Sequence, residues 1–377
     1  FGLAACSEPA PAPEAAAPVG YNLLETVPAS DSDLVIPYSK FQLDNGLTVI
    51  VHEDHSDPLV HVDVTYHVGS AREEPQRSGF AHFFEHMMFR GTPKYPQAAY
   101  EGIVTKIGAN TNAYTTDDHT AYHLKIAAED LPKVIEIEAD RFQNLAFSKI
   151  VFQTEAGAVY GEYRKSISSP FALLNERLQD LAYDAHTYKH TTIGFERDIM
   201  VMAGQFDYSL SFFKRFYRPE NVVLVVAGDV EPKATLALIE HHYGSWARGY
   251  VAPAITPEPP QQAERTAEVT YPGKTLPILT VAYKGDAFDP DNRDYVAALL
   301  LGILCIGEAK HVSWMWMLLP AGIFGALLPF HQRCLKKLST AQAIVRFHES
   351  RLNRLDRKFG SDVVDGAEFA DELHPWT

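Results

Sequence analysis

The chain has 377 residues, 46% of them apolar and 21% charged, an ordinary globular composition with length for two or three domains. Its net charge of −15, with only short and interrupted basic runs, argues against a nucleic-acid or anionic-lipid surface as partner. Three scattered cysteines (Cys6, Cys305 and Cys334) make neither a disulfide framework nor a four-thiolate metal site.

In chain order, residues 1–33 read as a leader and tether. "FGLAAC" sets small and apolar residues directly before Cys6, as signal-peptidase cleavage prefers. The stretch resembles a bacterial lipobox, in which the cysteine becomes the lipidated first residue. That implies a periplasmic protein anchored to a membrane through Cys6, the outer membrane because Ser7-Glu8 lacks an aspartate retention signal. The Pro- and Ala-rich residues that follow cannot bury a core and read as a tether.

Residues 34–250 read as the first folded unit. "FQLDNGLTVIVHED" predicts two strands around an Asn45-Gly46 turn, and "PLVHVDVTYHVGSA" a strand with Val60, Val62, Val64 and Tyr66 on one face. Gly79 to Phe89 reads as a helix closed by Gly91 and Pro93. "AYHLKIAAEDL" is a strand and "LPKVIEIEADRFQNLAF" an amphipathic helix. A further helix covers about 153–165, and more helices lead to Phe216. "NVVLVVAGDV" reads as a strand buried on both faces, and "PKATLALIEHHYGSW" as the last helix. Residues 251–267 form a Pro-rich linker. Residues 268–377 form a second unit that opens with "AEVTYPGKTLPILTVAYKG", a strand pair around a Pro-Gly turn. The fold class is α+β, with antiparallel-rich sheets flanked by helices. Residues 312–330 carry no charge, near the minimum for a membrane span, but Pro320 and Pro329 favour a buried core segment.

"HFFEHMMFRGT" places His82, Glu85 and His86 within one helical turn. Imidazoles at i and i+4 leave the same face about 5–6 Å apart at Cβ, which suits two ligands of one tetrahedral zinc. Glu85, at i+3, projects beside them. A zinc site needs a third protein ligand and keeps its fourth position open. "TEAGAVYGEYRK" offers Glu155 and Glu162, seven residues apart and so on one helix face. One could bind metal while the other accepts the free N–H of a liganding histidine.

H-x-x-E-H is the inverzincin signature. With "SGFAHFFEHMMFRGT", "GANTNAYTTDDHTAYH", "TTIGFERDI", "FYRPENVVLVVAGDV" and "YGSWARG" in this order, the chain resembles the pitrilysin/insulinase-type zinc metallopeptidases, which include the mitochondrial processing peptidase, over about residues 38–300. The resemblance implies metallopeptidase-type α/β sandwich domains and a zinc endopeptidase acting on peptides or unfolded proteins. In that family the third ligand is a glutamate well past the second histidine, with another two turns before it. Glu162, 76 positions beyond His86, and Glu155 match. His82, His86 and Glu162 would then hold Zn2+. Glu85 would be the general base that takes a proton from the zinc-activated water, and Glu155 a supporting catalytic carboxylate. Asn112, Ala113 and Tyr114 would lie on a sheet edge that binds an extended peptide as an added strand. It also implies a homo- or hetero-oligomer with a second peptidase-like subunit. After about Leu304 the pattern departs from the family, so the second domain reads as incomplete or atypical. The rival function is a catalytically silent homologue acting as a binding or structural subunit. All four H-x-x-E-H and glutamate ligand positions are filled here, which favours an active design.

Overall fold

The computed structural model describes residues 20–30 and 35–275, with isolated positions up to 297. Cys6 and residues 312–330 lie outside the described residues, so neither the lipobox nor the uncharged stretch is addressed by it. Among the described residues no helix is long and apolar enough to cross a membrane.

The elements are β1 (Tyr21–Val27), β2 (Tyr38–Leu43), β3 (Thr48–Glu53), β4 (Leu59–Tyr66), α1 (Phe80–Met87), α2 (Gln97–Lys106), β5 (Asn110–Thr115) and β6 (Thr120–Ala127). They continue with α3 (Leu131–Asn144), α4 (Lys149–Ser166), α5 (Pro170–Ala182), α6 (Glu196–Ile199), α7 (Phe206–Phe216), β7 (Val222–Gly228) and α8 (Pro232–Tyr243). Packing divides the chain into two units, residues 1–163 with 190–256, and residues 164–189 with 257–377. The second division falls within the Pro-rich segment, but residues 164–189 group with the second unit rather than with the first.

In the first unit a seven-stranded sheet runs β1-β2-β3-β7-β4-β6-β5. Every pairing is antiparallel except β3 with β7. The β2–β3 turn forms where expected. Gly46 takes φ +90°, and its N–H donates to Leu43 O at 2.8 Å. Asn45 accepts from the Leu47 N–H at 3.1 Å and donates to Tyr243 O at 2.8 Å, tying the turn to the end of α8.

The core lies on one sheet face. Val60, Val62, Val64 and Tyr66 of β4 are all at most 1% exposed. They face Val226, Leu224 and Val222 of β7 and Ile126, Leu124 and Tyr122 of β6 in register. The period of two in the sequence therefore becomes one apolar surface, worth roughly 1.5–3 kcal/mol for each fully buried side chain.

Three expectations are corrected. β7 is not buried on both faces. Val222, Leu224 and Val226 are buried, while Val223, Val225 and Ala227 stay half-exposed, because the second face of the sheet is only partly covered. The chain joins the sheet before Leu34. β1 pairs with β2 as an edge strand, with most of its residues exposed, so no apolar alternation marks it in the sequence. Among the described residues, 267–275 form no strand. The Tyr271 hydroxyl donates to Ser168 O at 2.7 Å, and most of the other half of the expected strand pair lies outside the described residues.

In the second unit α5 starts at Pro170, with the Ser169 side chain accepting from Phe171 N–H. The Glu258 carboxylate accepts from the backbone N–H groups of Asp184, Ala185 and His186 at 2.9–3.0 Å and from Lys284 Nζ at 2.8 Å. Burial opposes its ionisation, but these donors outweigh it and hold the carboxyl down to about 2.

Candidate metal centre

α1 is short and leaves an unusual number of aromatic residues to anchor it. Phe80, Phe83 and Phe84 are all fully buried. Phe84 stacks on Phe212 of α7 at 5.0 Å and 16°, and Phe83 meets Phe152 of α4 edge-on at 5.0 Å. One face of α1 is thereby fixed in the core, and His82, Glu85 and His86 project from the other.

The N-terminus of α1 is held by residues distant in sequence. The buried Glu73 carboxylate accepts from the Gly79 and Ala81 N–H groups, each at 2.7 Å, filling donors that a helix start leaves open. Gly79 takes φ +94°, and a Cβ there would stand 2.6 Å from Ile193 O. Gly194, at φ +89°, approaches just as closely, since its Cβ would meet Ser78 C at 2.6 Å and Gly79 N at 2.7 Å. The Ser78 hydroxyl donates to Asp198 Oδ2 at 2.6 Å and accepts from Phe195 N–H at 2.9 Å. The stretch "TTIGFERDI" thus clamps the start of the helix.

α4 crosses the exposed face of α1 and brings both glutamates with it. His82 Nε2 lies 3.6 Å and His86 Nε2 3.4 Å from Glu162 Oε2. One ligand atom from each of these three residues falls within 4.8 Å of the others. Atoms bound about 2.1 Å from a tetrahedral centre stand roughly 3.4 Å apart, so the donor set fits zinc in both element and spacing. His86 Nδ1 lies 2.9 Å from Glu155 Oε1, which turns its Nε2 toward Glu162. Arg90 pairs with the other Glu155 oxygen. His82 Nδ1 is buried and has no hydrogen-bond partner among the described residues.

Burial pushes the His82 imidazole down to about 4, so it is neutral at pH 7 with a nitrogen lone pair for a cation. Burial also acts downward on His86, but its hydrogen bonds with Glu155 and Glu162 outweigh it and raise the ring to about 9. A metal ion between the three residues would displace that proton. Burial raises the Glu155 carboxyl, while the His86 hydrogen bond and the Arg90 charge prevail and hold it below its ordinary value. The Glu85 carboxyl is raised above its ordinary value, chiefly by burial, against the lowering effect of the Thr115 hydrogen bond.

Asn112, Ala113 and Tyr114 all lie on β5, which forms the edge of the sheet opposite β1, with Asn112 exposed. The Ala113 N–H donates to Asn112 Oδ1 at 2.9 Å, so a side chain holds a donor that an added strand could claim. Two contacts were not foreseen from sequence. One is Thr115, whose hydroxyl donates to Glu85 Oε2, and the other is Arg90 on Glu155. Arg90 carried a signal, since it stands four residues beyond His86 in the direction in which Glu155 is met. Thr115 carried none that a single sequence reveals.

The profile of the insulinase family (peptidase family M16) matches residues 48–195, and that of the M16 inactive domain matches residues 206–346. The zinc protease PqqE of Helicobacter pylori is 33% identical over 282 residues, which cover 72% of this chain and 61% of that protein. Subunit 1 of the rat mitochondrial cytochrome b-c1 complex is 31% identical over 66% of this chain and 52% of its own length. The crystal structure of a protease from Helicobacter pylori aligns at TM-score 0.66 and 31% identity, over 70% of this chain and 64% of that one. The chain therefore spans about half to three-fifths of the length of these curated relatives.

Proposed function

Since the chain belongs to the insulinase-type peptidases of family M16, we propose that it is a zinc-dependent endopeptidase that cleaves extended peptides or unfolded protein. The observation that carries this reading is the convergence of His82, His86 and Glu162 at tetrahedral spacing with Glu85 alongside. His82, His86 and Glu162 would hold the zinc, which would supply Lewis-acid activation of water there. Glu85 is the residue placed to take a proton and return it to the leaving amine. Glu155 orients His86, and the Asn112–Tyr114 edge receives the peptide backbone as an eighth strand.

Because its relatives include a protein named as subunit 1 of the cytochrome b-c1 complex, a second peptidase-like subunit, identical or different, is part of this reading. Lipid at Cys6 would tether the complex on the periplasmic side of a membrane. A second reading has one observation in its favour: the similarity to a protein named as a subunit of the cytochrome b-c1 complex and not as a protease. In that case the chain would bind peptide or a partner subunit without turnover.

Metal analysis separates the two. About one zinc per chain in the purified protein, lost in His82→Ala, His86→Ala and Glu162→Ala, supports the peptidase. Equal zinc in all four proteins removes the assignment.

A further inference from the structure

The side chain of Glu155 is 4% exposed and uses its two oxygens on different partners. Oε1 meets His86 Nδ1 at 2.9 Å, and Oε2 meets the guanidinium of Arg90. Arg90 stands just past the end of α1, where its backbone N–H returns to Met87 O at 2.9 Å and keeps the chain turning. His86 and Arg90 therefore reach the same carboxylate from successive turns of one segment. Arg90 Nη1 also donates to Gln97 Oε1 at 3.3 Å, which seats the guanidinium from its other side.

We propose that Arg90 is a positioning residue of the metal centre. By engaging Oε2 it fixes the plane of the Glu155 carboxylate, so that Oε1 faces His86 Nδ1 and His86 Nε2 faces Glu162. A buried carboxylate with half of its acceptor capacity unfilled is costly, so without Arg90 the Glu155 side chain rotates in search of other donors. His86 then loses the group that sets its ring orientation. A planar guanidinium fixes a carboxylate plane, which a lysine ammonium, being a point charge, does only in part. The pair differs from an ordinary surface ion pair because one partner is nearly fully buried.

This inference rests on the zinc reading above, and its test keeps the two apart. Zinc affinity of the full chain is measured by competition with a chromophoric chelator for wild type, Arg90→Met, Arg90→Lys, Glu155→Gln and the double variant Arg90→Met/Glu155→Gln. Arg90→Met is expected to weaken zinc by about 10–100-fold, as for other groups that orient metal ligands, and Arg90→Lys by less. In the double variant Arg90→Met should add no more than about twofold to the Glu155→Gln loss, since both changes break one chain of contacts. Wild-type affinity in Arg90→Met overturns the proposal, as do penalties that multiply in the double variant. If Arg90→Met does not fold, Arg90→Lys alone decides, and wild-type affinity there overturns it. Absence of zinc from the wild type itself overturns the peptidase reading together with this one.

Discussion

The Thr115 hydroxyl donates to Glu85 Oε2 at 2.5 Å. Thr115 ends β5 and pairs with Thr120 of β6, so one hydrogen bond joins the sheet edge to the helix that carries the proposed base. Thr115→Val keeps the size and branching of the side chain and removes the donor. Losing a hydrogen bond to a charged group costs about 1.5–3 kcal/mol, or roughly 10–100-fold in kcat if Glu85 must be held for proton transfer. KM for an unstructured peptide and zinc content should stay as in wild type, and Thr115→Ser should recover most of the rate. A kcat for Thr115→Val equal to that of wild type removes this role.

Glu85→Gln retains the shape of the side chain and its bond to Thr115 but cannot take a proton as a carboxylate does. Turnover should fall by about 10²–10⁴-fold with zinc still bound, whereas His82→Ala should lose metal and turnover together. Peptide cleavage is measured with candidate partner subunits present. Undiminished cleavage by Glu85→Gln under those conditions would falsify the assignment of the base.

Gly194→Ala places a methyl group against the backbone of Ser78 and Gly79, at a residue whose φ is +89°. The start of α1 must then shift. The expected cost is about 1–3 kcal/mol of unfolding free energy, read from a lower urea midpoint and accompanied by weaker zinc binding. A variant that unfolds at the wild-type midpoint and binds zinc normally shows that the clamp does not position the helix.

Acid stability should report on Glu136, which accepts from Lys94 at 2.8 Å, Tyr95 at 2.5 Å and Lys133 at 3.0 Å. These donors, Lys94 foremost, depress its carboxyl to about 2. A carboxyl whose pKa is lower folded than unfolded stabilises the fold above the unfolded value and loses that contribution as the pH falls toward the folded one. The stabilisation is therefore full above about pH 4.5 and fades between there and pH 2. Glu136→Gln should lower the melting temperature at pH 6 and have little effect at pH 2. Parallel melting curves for the two proteins across this range would contradict it.

The candidate site was legible where chemistry follows helical spacing. His82, Glu85 and His86 share a turn, and Glu155 and Glu162 stand two turns apart, so each group could be placed on a face before its partners were known. That the two faces meet was implied only by the resemblance, because the meeting depends on the packing of α1 against α4. β4 was legible because Val60, Val62, Val64 and Tyr66 alternate with polar residues. β1 was not, because an edge strand exposed on both faces leaves no apolar period. The half-covered face of β7 was also hidden, since valine and alanine occur there whether the covering is full or partial. Thr115 depends on side-chain reach across elements, which composition and spacing do not encode, whereas Arg90 was marked only by its spacing of four from His86.

β3 and β4 follow one another in the chain but are not neighbours in the sheet, because β7 lies between them. As the protein leaves the ribosome, β1, β2 and β3 can form one ribbon and β4, β6 and β5 another, each with a bare inner edge. Such edges invite pairing with the wrong strand, and closing them requires a segment from far along the chain. Residues 222–228 are that segment, and they are made after every residue that would bind the metal. A nascent chain stopped short of Val222 would thus hold His82, His86 and Glu162 and still lack the completed sheet. A chaperone that shields strand edges would be expected to engage this protein during that interval.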